Sequence, residues 1–111
     1  MKINNIKNFT NGWMIGNFNP SLLKNEHFEF GYKKIIKETH IDDPHYHKII
    51  TEYNFILNGK ILIKGENFNH IFNSGDIFII EPNEIYTWTI LEDTDLFIIK
   101  TPSIINDKYF V

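Results

Sequence analysis

A chain of 111 residues, 42% hydrophobic and 15% aromatic, is long enough for one compact domain and too short for two ordinary ones. Its formal net charge of -3, with every one of the 11 positive charges on lysine, leaves no basic footprint for nucleic acid. Nor is there a guanidinium to clamp a phosphate or carboxylate, so a strongly anionic ligand is disfavoured. The absence of cysteine removes disulfide frameworks and thiolate chemistry and fits a reducing cytoplasm.

In chain order, residues 1–9 lack the apolar centre of a signal peptide, and no stretch approaches the roughly twenty apolar residues of a membrane span. The expected protein is therefore cytoplasmic, with no membrane partner. Residues 12–18 are too apolar for a loose tail and are expected to pack on the domain or on a second subunit. Phe28, Phe30 and Tyr32 then alternate with Glu29, Gly31 and Lys33, a period of two that predicts a half-buried strand over 28–37. A loop through Asp42, Asp43 and Pro44 follows. Short apolar runs recur at 51–57, 60–64, 68–72, 76–80, 86–90 and 95–100. The separators are turn formers: Asn58-Gly59, Gly65-Glu66-Asn67, Asn73-Ser74-Gly75, Pro82-Asn83 and Glu92-Asp93. Asn58-Gly59 in particular has the sequence of a tight hairpin turn. The Phe, Tyr, Trp and Ile content favours strands, and regular short strands predict a single all-β domain over 1–111, an antiparallel sandwich or barrel without a long helix.

Between the second expected strand and the Asn58-Gly59 turn lies His45-Tyr46-His47, with Glu52 five residues further on. Residues i and i+2 of an extended chain point to the same side, so His45 and His47 can converge on one centre. Two imidazoles and a carboxylate are a common ligand set for a divalent transition metal. A Glu between the apolar Ile49-Ile50 and 53–57 needs a partner if it faces inwards, either a metal ion or a protonated His.

His45, His47, Glu52 and Gly59 occupy the last four fixed positions of G-x5-H-x-H-x3or4-E-x6-G, the first motif of the cupin superfamily, with Thr39 in place of the leading Gly. The second cupin motif, G-x5-P-x-G-x2-H-x3-N, is met in part. Gly75 and the run 77–80 fit its opening. Glu81, Asn83, Tyr86 and Ile90 stand where Pro, Gly, His and Asn would be, and Pro82 falls one place late. The chain thus resembles a small single-domain bacterial cupin over about 28–100, which implies a jelly-roll, double-stranded β-helix barrel. Cupins include metal-dependent enzymes, sugar isomerases and epimerases, and plain binding domains, so the resemblance leaves the reaction open.

The leading expectation is a divalent metal, Fe, Mn, Ni or Zn, on His45, His47 and Glu52. Tyr86 stands in place of the last metal-binding His, and Thr87 would replace it if a bulge shifted the register by one. Such a centre would assist chemistry on a small polar or sugar-like molecule. The alternative is a metal-free site in which His47 or His45 is the base and Tyr86 the acid in sugar or nucleotide-sugar epimerisation or isomerisation, although the chain lacks the Arg that usually meets a nucleotide diphosphate. A non-catalytic ligand-binding module is the third reading. Glu81 and Glu84 are expected to place negative charge at the barrel mouth. His27, His40 and His70 are weaker candidates, and Trp13, Phe55 and Trp88 are expected to pack or to line the cavity. A homodimer formed through the N-terminal segment or an uncovered strand edge is expected.

Overall fold

The computed structural model describes residues 1–37, 39 and 43–111. His40 and Asp42, named above, lie outside the described residues. Two 3-10 turns, Ile6–Asn8 and Thr10–Gly12, lead into β1 (Trp13–Ile15), β2 (Glu29–Ile35), β3 (His45–Tyr46), β4 (Thr51–Gly65), β5 (Asn69–Asn73), β6 (Ile77–Ile80), β7 (Tyr86–Thr101) and β8 (Tyr109–Phe110). The strands pair antiparallel throughout and form an all-β jelly-roll barrel. Among the described residues no helix is long and apolar enough to cross a membrane.

The main departure from expectation lies in the two longest strands. Asn58-Gly59 does not close a hairpin. It sits inside β4, which runs 15 residues, and Glu92-Asp93 sits inside β7, which runs 16. The β4–β7 register shifts between Ile56 and Ile61, so both sequences form bulges that bend two continuous strands. Gly59 adopts φ 115°, and a Cβ there would lie 2.6 Å from the Thr94 Cα, so the bulge requires glycine. One strand pair thereby serves both walls of the barrel, its buried side chains changing phase at the bulge: Glu52, Asn54 and Ile56 before it, Ile61 and Ile63 after it.

Inward-facing Ile56, Ile61, Ile63, Ile90 and Leu96 are at most 2% exposed and form the centre of the core with Phe78, Ile80, Trp88 and Ile98. Each such side chain contributes about 1.5–3 kcal/mol of burial free energy. In the N-terminal segment β1 pairs β2, and the Trp13 indole lies against Gly31, where a Cβ would meet the ring at 2.7 Å.

On the opposite face of the same strands, two cross-strand rows are apolar. Phe30, Ile99, Tyr53 and Ile79 form one, and Tyr32, Phe97, Phe55 and Ile77 the other. Ile77 is 63% and Ile79 50% exposed, and Phe55 faces outwards here and not into the core. With β1 already paired to β2, this sheet face carries an uncovered apolar surface.

Candidate functional site

Three strands deliver a polar row to one end of the barrel interior. Glu29 on β2, Lys100 on β7 and Glu52 on β4 stand directly opposite one another, each the inward-facing neighbour of its strand's apolar residues. His45 on β3 pairs in register with Tyr86 at the start of β7, so the bulge alternative with Thr87 at that position does not arise. His45, His47, Glu52, Tyr86 and Lys100 all line a cavity of about 870 Å³, bounded on its apolar side by Trp13, Trp88 and Ile98.

Two backbone anchors hold His47 and Glu52 in place. The Asp107 carboxylate accepts the backbone N–H groups of Lys48, Ile49 and Ile50 at 3.1, 2.9 and 2.8 Å, tying down the turn that joins His47 to β4. Burial pushes the Asp107 carboxyl up, but the three N–H groups and the nearby His47 outweigh it and leave its pKa below the ordinary value. The His47 carbonyl accepts the Asn83 N–H at 2.6 Å, with Asn83 in the left-handed region at φ 70°.

The Tyr86 hydroxyl donates to Glu52 Oε2 at 3.1 Å, and the Lys100 ammonium stands 4.0 Å from Glu52 Oε1. The inward Glu52 therefore has partners other than the metal ion or protonated His expected from sequence. His45 Nδ1 lies 2.9 Å from the Asp43 carbonyl, an atom that can only accept, so Nδ1 is the donor. The rings of His45 and Tyr86 are 4.7 Å apart, those of His45 and His47 5.6 Å. Burial and then the Lys100 ammonium push the His47 pKa below its ordinary value, against a smaller opposing pull from Glu52. His47 is thus neutral at neutral pH and able to accept a proton.

The residues expected to hold a divalent metal do converge on one cavity, but their arrangement does not fit one. Both Glu52 oxygens face the Tyr86 hydroxyl and the Lys100 ammonium, and a cation there would sit beside a fixed positive charge. Among the described residues no group of three His, Cys, Asp or Glu side chains is placed to hold a metal ion.

The charge around the cavity also differs from expectation. Glu81 and Glu84 are exposed and neither lines it; Glu84 instead accepts the Glu81 N–H. Lys7, Lys33, Lys34, Lys100 and Lys108 line it, with Glu52 as the carboxylate among its lining residues. His27 and His70 are exposed, the His70 ring packing on Phe72 at 4.4 Å. Sequence reasoning missed Lys100, although the alternation Leu96, Ile98, Lys100 places it inwards. It also missed Asp107, for which no local pattern exists.

No family model matches the chain. Over 53 residues it is 34% identical to the XylDLEGF operon transcriptional activator 3 of Pseudomonas putida, a match that covers 48% of this chain and 16% of that protein. Among solved structures, a cupin protein from Bacteroides fragilis superposes with TM-score 0.60 at 20% identity, covering 69% of this chain and 67% of that one. The chain has the cupin fold. KdgF from Halomonas sp. matches with TM-score 0.64 at 16% identity over 70% of this chain and 72% of its own. Pac13, a nucleoside dehydratase, matches with TM-score 0.68 at 9% identity over 78% of this chain and 70% of its own; variants of the Streptomyces protein have been solved with uridine. At these identities the likeness is one of fold, and the chemistry of this chain rests on its own side chains.

Proposed function

We propose that this cupin transfers a proton on a small sugar-like molecule without a metal, with His47 as the base and Tyr86 as the acid. The observation that carries this reading is the Tyr86–Glu52–Lys100 chain. It satisfies the buried carboxylate internally and orients the phenol, beside a His47 that burial and Lys100 keep neutral. His47 would take a proton from a carbon next to a carbonyl, and Tyr86 would give one to the oxygen on which negative charge develops. Glu52 accepts the Tyr86 hydrogen bond in the resting site, and His45, its Nδ1 held by Asp43, packs against the Tyr86 ring.

The test combines elemental analysis of protein purified without chelator with solvent-deuterium incorporation into a panel of sugars and nucleotide sugars. Deuterium uptake by protein free of stoichiometric metal supports the reading. A stoichiometric metal, or a wild type without exchange on any of the panel, opposes it.

The stretch shared with transcriptional activators favours a second reading, a non-catalytic module that senses a small molecule in the same cavity. A ligand retained through purification and released unchanged on denaturation would support it. In either case the protein would be a homodimer, joined by the exposed apolar sheet face.

A further inference from the structure

Two ammonium groups of the cavity lining share one aromatic ring, and one of them, Lys100, also stands 4.0 Å from the Glu52 carboxylate. Lys33 Nζ lies 4.8 Å and Lys100 Nζ 5.1 Å from the centre of the Trp13 ring, so both cations rest on one indole, which Gly31 allows to lie flat on β2. Lys33 is further fixed by donating to the Asn11 carbonyl at 2.7 Å. Both lysines line the cavity, and Lys7, Lys34 and Lys108 line it as well. Glu29, opposite Lys100 on β2, attracts both ammonium groups but is itself engaged by Ser103 Oγ, which donates to it at 3.2 Å, and it is not among the residues lining the cavity.

Holding two like charges together on a half-buried surface is unfavourable unless an anion joins them. Burial and the neighbouring Lys100 push the Lys33 pKa below its ordinary value, as that arrangement requires. Burial pushes the Glu29 carboxyl up, against an opposing pull from Lys100, Ser103 and Lys33.

We infer that Lys33 and Lys100, supported on Trp13, form an anion subsite that binds a carboxylate or phosphate group of the cavity's ligand. This deepens the proton-transfer reading, on which it rests for the identity of the reacting end. The anionic group would dock at the Trp13 end while the remainder of the molecule reaches His47 and Tyr86. Lysine suffices because two point charges on a fixed aromatic plate replace the rigid fork that arginine would provide.

Isothermal titration with inorganic phosphate and with succinate, against glucose as the neutral probe, reads binding without any turnover. The wild type should bind at least one of the two anions and not glucose. Lys33→Gln and Lys100→Gln should each weaken that binding about tenfold or more, whereas Lys64→Gln, at the exposed far end of β4, should leave it unchanged. Preference for phosphate over succinate would assign a phosphorylated ligand, and equal binding a carboxylate-sized requirement. If Lys100→Gln fails to fold, Lys33→Gln alone decides. Absence of anion binding by the wild type up to about 20 mM, or wild-type affinity in Lys33→Gln, would overturn the subsite. Anion binding that depends on Lys33 in a protein without solvent exchange would defeat the proton-transfer reading and leave the subsite standing.

Discussion

Replacing Asp107 by Ala should destabilise the protein by about 3 kcal/mol and loosen the site without touching any cavity-lining residue. The Ile50 N–H bond to Asp107 is buried, and an unpaired buried N–H costs about 1–3 kcal/mol. The Lys48 and Ile49 N–H groups are partly buried and can turn to water, so their charge-assisted bonds add about 1 kcal/mol together. For a domain of this size the sum lowers Tm by about 10–15 °C, and Asp107→Asn, which keeps one carbonyl acceptor, should lose about half as much. The pH dependence has a definite sign. The native Asp107 pKa lies below its unfolded value, so its contribution is complete above the ordinary carboxyl pKa and is lost as pH falls through the native one. Urea denaturation at neutral pH with histidine NMR is the assay, because the freed turn joins His47 to β4 and should shift the His47 resonances. A loss below about 0.5 kcal/mol with unchanged His47 signals would refute the assignment of Asp107 as the anchor.

Asn54 is 1% exposed and both polar atoms of its side chain lack a hydrogen-bond partner among the described residues, so Asn54→Leu should stabilise the protein by about 1 kcal/mol in urea melts; a loss would show that the amide is bonded in solution. The rate of deuterium exchange should fall on the acid side at a pH below the ordinary imidazole value of 6.5, since the base must be neutral and His47 is shifted down. Lys100→Met should move that limb to higher pH, and a wild-type limb at or above 6.5 would exclude His47 as the base. Charging the outer sheet face with Ile79→Lys and Tyr53→Lys should convert a dimer to a monomer in sedimentation, and a wild type that sediments as a monomer would remove the interface.

Much of this architecture was legible because period-two alternation and turn chemistry are local. The alternation in 28–33 gave β2, and Gly65-Glu66-Asn67 and Asn73-Ser74-Gly75 gave the turns that bound β5. Asn58-Gly59 misled because the positive φ that suits a hairpin also suits a bulge, and strand pairing on both sides of Gly59 decides between them. The convergence of His45, His47, Glu52 and Tyr86 could be read from motif spacing. The charge environment could not. Lys100 acquires its meaning by standing opposite Glu52 and Glu29 on two other strands, and Trp13 by lying on Gly31, contacts that no local pattern encodes. The outer apolar rows were hidden for the same reason, since each strand contributes only two of their residues.

Solvent-deuterium incorporation into a sugar or nucleotide sugar, measured after exhaustive chelation in wild type and in Tyr86→Phe, bears most directly on whether this protein works without a metal. Incorporation that survives chelation and falls by about a hundredfold or more in Tyr86→Phe is the expected result. Incorporation abolished by chelation and restored by a divalent ion would contradict it and return His45, His47 and Glu52 to the role of metal ligands.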